Sequence, residues 1–186
     1  MYKLVTFEDV VRVPPELTGE ETSDEEAISK ALAEKYENKI FRDIGVILSV
    51  TQVIVIGEGE MKVEDPAVYY PTTFEALVWL PKVHEVVEGT VVDLTDFGVF
   101  IRFGPIDGLC HISQVINDYV SYDRKANALI AKQTRRSLRV GDIVRARVTG
   151  VSLEKKETNK ITLTMRQPGL GSLEWLEEDK GHGKKK

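Results

Sequence analysis

The chain has 186 residues, 42% of them apolar, with 30 acidic and 25 basic side chains and a net charge of -5, which is enough for one large core or two small ones. Collagen-like, wholly disordered and membrane-spanning classes are excluded, because no window approaches the ~18 consecutive apolar residues that a span requires. A single cysteine, Cys110, rules out an internal disulfide and any zinc site built from four clustered nitrogen and sulfur ligands, and it fits a reducing, cytoplasmic home.

The first residues, MYKLVTFEDVV, carry Glu8 and Asp9 where a secretion signal would be apolar. Residues 4–13 (LVTFEDVVRV) read as a strand rich in β-branched side chains, ended by Pro14 and Pro15. After a polar loop, Ser23 stands at an N-cap position with Glu26 three places on, and Ile28, Ala31, Leu32 and Tyr36 follow at helical spacing. The spacing predicts an amphipathic helix over 24–39, with Glu20, Glu21, Asp24, Glu25 and Glu26 favouring the positive end of its dipole. Residues 43–57 form a long strand whose apolar run is too continuous for one exposed face, which predicts cover on both sides for part of it. A strand pair follows, MKV and then 67–81 across a turn at Glu64, Asp65 and Pro66. The first unit is thus an α+β domain, one helix on an antiparallel sheet, ending at Pro81 and Lys82.

Beyond that seam the pattern changes to short strands separated by glycines, at 85–95, 97–104, 107–113, 142–154 and 160–166, which predicts a small closed barrel with one long excursion at 114–140. Residues 169–186 are expected as a C-terminal tail, its GHGKKK end flexible and basic. The charge divides with the units: residues 1–82 sum to -8 and residues 83–186 to +3. Arg124, Lys125, Lys132, Arg135, Arg136, Arg139, Arg145 and Arg147 face only Asp142 between positions 124 and 147, a block that either meets phosphate or merely keeps a loop solvated.

Catalytic patterns are absent from the sequence. His84, His111 and His182 lie far apart, no nucleophile and base are spaced to work together, and no cofactor is expected. Gly57-Glu58-Gly59 opens like a dinucleotide fingerprint, but Lys62 stands where glycine is needed and no crossover unit follows, so a turn is expected.

EGTVVDLTDFGVFIRFGPIDGLCHISQ, followed by GDIVRARVTGV and ITLTMR, resembles the S1-type RNA-binding domain, an all-β OB-fold, over about residues 83–166. Gly98 can kink the strand so that Phe97 and Phe100 both face outward and stack on bases. The resemblance puts His111 beside them. Val144, Ala146 and Val148 alternate with Arg145 and Arg147, and Lys160, Thr162, Thr164 and Arg166 alternate likewise, so both sets of polar side chains face solvent if their apolar neighbours are core. The predicted RNA contacts are Phe97, Phe100, Arg102, His111, Arg145, Arg147 and Lys160. Taken without their context, the two phenylalanines would read as core and His111 as a hydrogen-bonded structural residue.

The likeness extends further. MYKLVTFEDVVRVPPE, EKYENK, the GEG turn, TFEALVWLP, NDYVSYD, VRARV and LTMRQPGLGSLEW resemble the archaeal RNA polymerase stalk subunits called E-prime, relatives of the eukaryotic seventh polymerase subunit, over nearly the whole chain. That family implies a ribonucleoprotein-like first domain whose tip docks on the polymerase core, near Pro14, Pro15, Gly57, Glu58, Gly59 and Glu60 here. It also implies a barrel that meets emerging single-stranded RNA, and a heterodimer with a smaller helical stalk protein, termed F in archaea, packed along both domains. Two other readings stand beside it: an S1-domain translation or RNA-decay factor, and a bridging protein whose barrel platform is covered by a partner. The excursion contacts either RNA or the partner.

Overall fold

The computed structural model describes residues 1–18, 23–153 and 160–183, and the chain divides into two units between Leu80 and Pro81, two residues before the expected seam. Glu20, Glu21 and the terminal Lys184–Lys186 lie outside the described residues.

The first unit holds β1 (Tyr2–Val13), α1 (Asp24–Tyr36), β2 (Ile40–Phe41), β3 (Gly45–Ile56), β4 (Glu60–Lys62) and β5 (Asp65–Trp79). Its antiparallel sheet runs β1-β5-β3-β2, with β4 also pairing β5. Ser23 caps α1 by accepting a hydrogen bond from the Glu26 amide at 3.3 Å, and three acidic residues occupy the first turn, where the dipole favours them. Ala27, Ile28, Ala31 and Leu32 form one buried stripe on the helix. They pack on Val11, Val13, Ile47, Phe74, Ala76 and Val78, the alternate positions of three strands, so the sheet is covered on that face.

Only the start of β3 is buried. Gly45, Val46 and Ile47 are enclosed in succession, which is the cover on both faces expected for part of the run, whereas Ile54, Val55 and Ile56 are exposed. The reason is register: pairing with β5 slips between Ile47 and Ser49, between Val50 and Gln52, and between Val53 and Val55. Each slip re-aims the following side chains, so sequence continuity does not translate into two covered faces along the whole strand.

The second unit starts with β6 (Val86–Leu94), β7 (Gly98–Arg102) and β8 (Asp107–His111) and returns to it with β12 (Ile143–Ser152) and β13 (Lys160–Thr164). Pairings β13-β8-β7-β6-β12, with β12 also joined to β13, close these five strands into a barrel filled by Val91, Val99, Ile101, Cys110, Val144, Ala146, Val148, Ile161 and Leu163. Between β8 and β12 lie β9 (Val120–Asp123), β10 (Ala128–Ala131) and β11 (Ser137–Arg139), so the excursion is a separate three-stranded sheet.

The tail expectation fails for most of residues 169–186. Gly171 and Ser172 form β14, which pairs with β12 at Val144 and Arg145, and α2 (Leu173–Gly183) follows directly. Trp175 is 6% exposed, and Gly171 adopts φ +122°, with any Cβ there only 3.1 Å from the Trp175 ring. One buried indole anchors this segment to the barrel unit.

Candidate nucleic-acid interface

Phe97 reaches solvent because of a turn. Thr95 and Gly98 close a two-residue hairpin between β6 and β7: the Thr95 amide and hydroxyl both donate to the Gly98 carbonyl at 2.9 Å, and the Gly98 amide donates to the Thr95 hydroxyl at 3.2 Å. Asp96 and Phe97 occupy the tip, and the Phe97 ring is 48% exposed. The bulge expected at Gly98 sits instead on β6, where register slips between Val91 and Asp93 opposite Ile101 and Phe100. Gly98 is needed for a close approach, since a Cβ there would lie 2.5 Å from the Cys110 carbonyl oxygen.

Phe100 pairs with Leu109, and Leu109 pairs in parallel with Thr162, while Val99, Ile101, Cys110, Ile161 and Leu163 between them are buried. Phe100, Leu109 and Thr162 therefore share the outer face of three neighbouring strands, and His111, two places after Leu109, shares it with them. The Phe97 and Phe100 ring centroids are 6.1 Å apart at 88°, edge to face. A base lying flat on one ring cannot lie parallel to the other. His111 Nδ1 accepts from the Ser113 amide at 3.3 Å, with the Ser113 hydroxyl at 2.8 Å, which leaves Nε2 to carry the donor proton.

The predicted cations are dispersed. Lys160 lies two residues before Thr162, which puts it level with Asp107 at the edge of the aromatic face. Arg102 is on that face too, but its Nε and Nη2 donate to the two Asp107 oxygens at 2.8 and 3.0 Å, and this pairing raises its pKa. Arg145 is not brought to the aromatics. Arg145 registers with Glu88 and donates to one of its oxygens at 2.9 and 2.7 Å, whereas Phe100 registers with Asp93, five residues further along β6. At ~3.3 Å per residue that separation is about 16 Å along the strand. Arg147, also on β12, lies between Val86 and Thr164, and its Nε is buried with no hydrogen-bond partner among the described residues. Burial pushes the Cys110 thiol up to about 12, so it is an inert core group.

At one end of the first unit, Pro14 and Pro15 follow the β1 residue that pairs Val68, and β4 meets β5 at Tyr69 and Val68. The predicted docking residues therefore gather at that end, where Met61 is 75% and Val63 94% exposed. The Gly57 amide donates to the Pro71 carbonyl at 2.7 Å, and beside it an open cleft of about 400 Å³ is bordered by Val10, Val55 and Pro71. Among the described residues no group of three His, Cys, Asp or Glu is placed to hold a metal, and no helix is long and apolar enough to cross a membrane.

Comparison with known proteins matches both units. Residues 8–66 match the model of the SHS2 domain found in N terminus of Rpb7p/Rpc25p/MJ0397, and residues 80–166 match the S1 RNA binding domain. DNA-directed RNA polymerase subunit Rpo7 of Sulfolobus acidocaldarius is 39% identical over 96% of this chain and 97% of its own length. DNA-directed RNA polymerase III subunit RPC8 of Saccharomyces cerevisiae is 31% identical over 53% of this chain and 46% of its own. Ribonuclease R of Vibrio cholerae is 39% identical over 40% of this chain but only 9% of its own length, so the likeness to an RNA-decay enzyme is to a fragment of it. Near end-to-end identity in both domains, in the order found here, assigns the chain to the Rpo7 family of DNA-directed RNA polymerase subunits.

Proposed function

We propose that this chain is the larger protein of the polymerase stalk, that the free end of its first unit docks on core polymerase, and that the outer face of its barrel holds single-stranded transcript. The observation that carries the RNA reading is the exposed Phe97 ring set edge to face with Phe100 on the strand face that also carries His111, with Lys160 at its margin. Aromatic faces beside a cation hold a single strand without regard to sequence. The reading places one base on each ring, His111 Nε2 as a donor, and Lys160 on a phosphate. Docking is supported by the exposed apolar side chains Ile54, Val55, Met61 and Val63 around Pro14, Pro15 and the 57–60 turn, in a unit whose net charge of -8 over residues 1–82 suits protein better than RNA. The smaller helical stalk protein of the archaeal family completes the heterodimer and covers apolar surface that the chain alone leaves open.

The test is fluorescence anisotropy of a labelled single-stranded RNA across a salt series. Phe97→Ala and Phe100→Ala should each weaken binding by ~1–3 kcal/mol without changing the slope of log affinity against log salt. Lys160→Gln should lower that slope by about 0.7, the value of one phosphate contact to a single strand. Arg145→Ala should leave the slope unchanged, because Glu88 already neutralises it. Folded Phe97→Ala and Phe100→Ala variants that bind as tightly as the parent would transfer the face to a protein partner.

A further inference from the structure

The β9–β11 segment carries Arg124, Lys125, Lys132, Arg135, Arg136 and Arg139 against Asp118, Asp123 and Asp142. Where those carboxylates are engaged decides how much positive charge remains available. Asp118 accepts from the Gln133 and Thr134 amides at 2.9 Å each and from the Thr134 hydroxyl at 3.0 Å. Asp123 accepts from the Lys125 and Ala126 amides at 2.8 and 3.2 Å, and Asp142 from the Arg139 amide at 2.7 Å. All three thus close turns. Of the six cations only Arg136 enters an ion pair among the described residues, with Asp179 on α2. The other five are exposed on a sheet whose acids are engaged with its own backbone.

Their placement has a direction. Arg139 pairs with Ala128, which on its other side pairs with Asp123, so it stands beside the turn that bears Arg124 and Lys125. Lys132 and Arg135 sit at the opposite end, in the turn from β10 to β11. The two ends are separated by the four residues of β10, about 10 Å, and the face between them presents Ser121, Ile130 and Ser137 in register. Tyr119 adjoins the second end: its carbonyl accepts from the Lys132 amide at 3.0 Å, its ring is 66% exposed, and Lys132 Nζ lies 4.4 Å from the ring centroid. Only Tyr119 and Val140 are exposed large apolar side chains in this segment, which lacks the apolar centre of a protein-docking surface.

We propose that the β9–β11 sheet is a second single-stranded RNA contact, distinct from the Phe97–His111 face, in which Arg124, Lys125 and Arg139 at one end and Lys132 and Arg135 at the other neutralise phosphates while Tyr119 stacks on a base. It rests on the proposed RNA function only for the class of ligand. Tyr119 follows His111 by eight residues, which bounds the distance between the two surfaces at about 28 Å. OB-folds occupy from ~4 to ~16 nucleotides, so RNA length separates the two contacts. A short strand reaches the aromatic face alone; a longer one continues onto this sheet.

The experiment measures anisotropy of single-stranded RNAs at the two ends of that range, about 5 and about 16 nucleotides, on the full chain across a salt series. The triple variant Arg124→Gln, Lys125→Gln, Arg139→Gln should lower the long-RNA slope by about 2, and the double variant Lys132→Gln, Arg135→Gln by about 1.4, at ~0.7 per phosphate. Neither should change binding of the short RNA. Tyr119→Ala should weaken the long RNA roughly 5- to 150-fold, with Tyr119→Phe restoring it. Phe97→Ala should weaken both lengths. Long-RNA slopes unchanged in both charge variants, with far-UV circular dichroism intact, would overturn the proposal while leaving the aromatic face standing. Polyglutamate competing as well as RNA and failing equally against the variants would overturn it too, as a general polyanion surface. If Phe97→Ala has no effect and the charge variants do, the aromatic-face reading fails and this one holds.

Discussion

Trp175→Ala is the substitution that most sharply separates a docked C-terminal segment from a loose tail. The indole is 6% exposed, packs against Gly171, and lies 5.7 Å beneath the Arg136 guanidinium, which also pairs with Asp179 on the same helix. Truncating a buried tryptophan to alanine removes ~3–5 kcal/mol. The lower end applies here, because α2 and β14 can detach locally and so limit the loss to what their docking contributes. A selective reporter exists. Cys110 is the only cysteine, is fully buried in the barrel, and has a thiol held near 12 by burial, so alkylation in a urea series reads opening of the second unit alone. A loss of about 3 kcal/mol, at ~1–3 kcal/mol per molar urea, moves the alkylation midpoint down by roughly 1–3 M. Trp175→Phe should move it less. A midpoint that Trp175→Ala leaves within the equivalent of ~0.5 kcal/mol, the ordinary effect of a surface change, would refute the packing argument and return residues 169–183 to a tail.

Two further outcomes follow from particular contacts. Gly98→Ala puts a Cβ 2.5 Å from the Cys110 carbonyl oxygen, backbone against backbone, so β7 and β8 must part; urea unfolding should lose ~1–3 kcal/mol, and RNA affinity should fall with it because Phe97 and His111 flank the strained pair. In the first unit, the Arg12 guanidinium, then the Tyr69 hydroxyl, hold the Asp65 carboxyl well below the usual carboxylate range; a depressed folded pKa means a contribution present above the unfolded value of ~3.9 and lost as pH falls through the folded one, so carboxyl NMR should find Asp65 still ionised below pH 3 and titrating closer to its ordinary value in Arg12→Ala.

Much of this architecture is legible from sequence because it follows period two and period 3.6. The N-cap at Ser23 and the alternation of Val144, Ala146 and Val148 map directly onto elements, whereas the FGVF segment keeps its strand from Gly98 on but has its bulge on the neighbouring β6. What is illegible depends on long-range register. The three slips in β3 leave no mark in an apolar run, so the sequence shows that part of it is covered but not that the covered part is Gly45, Val46 and Ile47 and the exposed part Ile54, Val55 and Ile56. Strands of three or four residues, such as β9–β11, are too short to display a period, and their polar turns mask them as a loop. Arg145 reads as a free cation because its partner Glu88 lies 57 residues away, and the same alternation that puts Arg145 on the outer face says nothing of its distance from Phe100. In α2, one tryptophan does the anchoring within a stretch otherwise dominated by acids, and composition alone weighs the acids more.

The most direct test of the central claim is photocrosslinking of nascent transcript in elongation complexes reconstituted with this chain. RNA carrying a photoreactive base just outside the polymerase should form an adduct that maps to the peptide spanning Phe97 to His111, and Phe97→Ala with Phe100→Ala should abolish it while elongation continues. Adducts confined to the first unit, or a transcript that passes the chain without any adduct in complexes that contain it, would contradict the account.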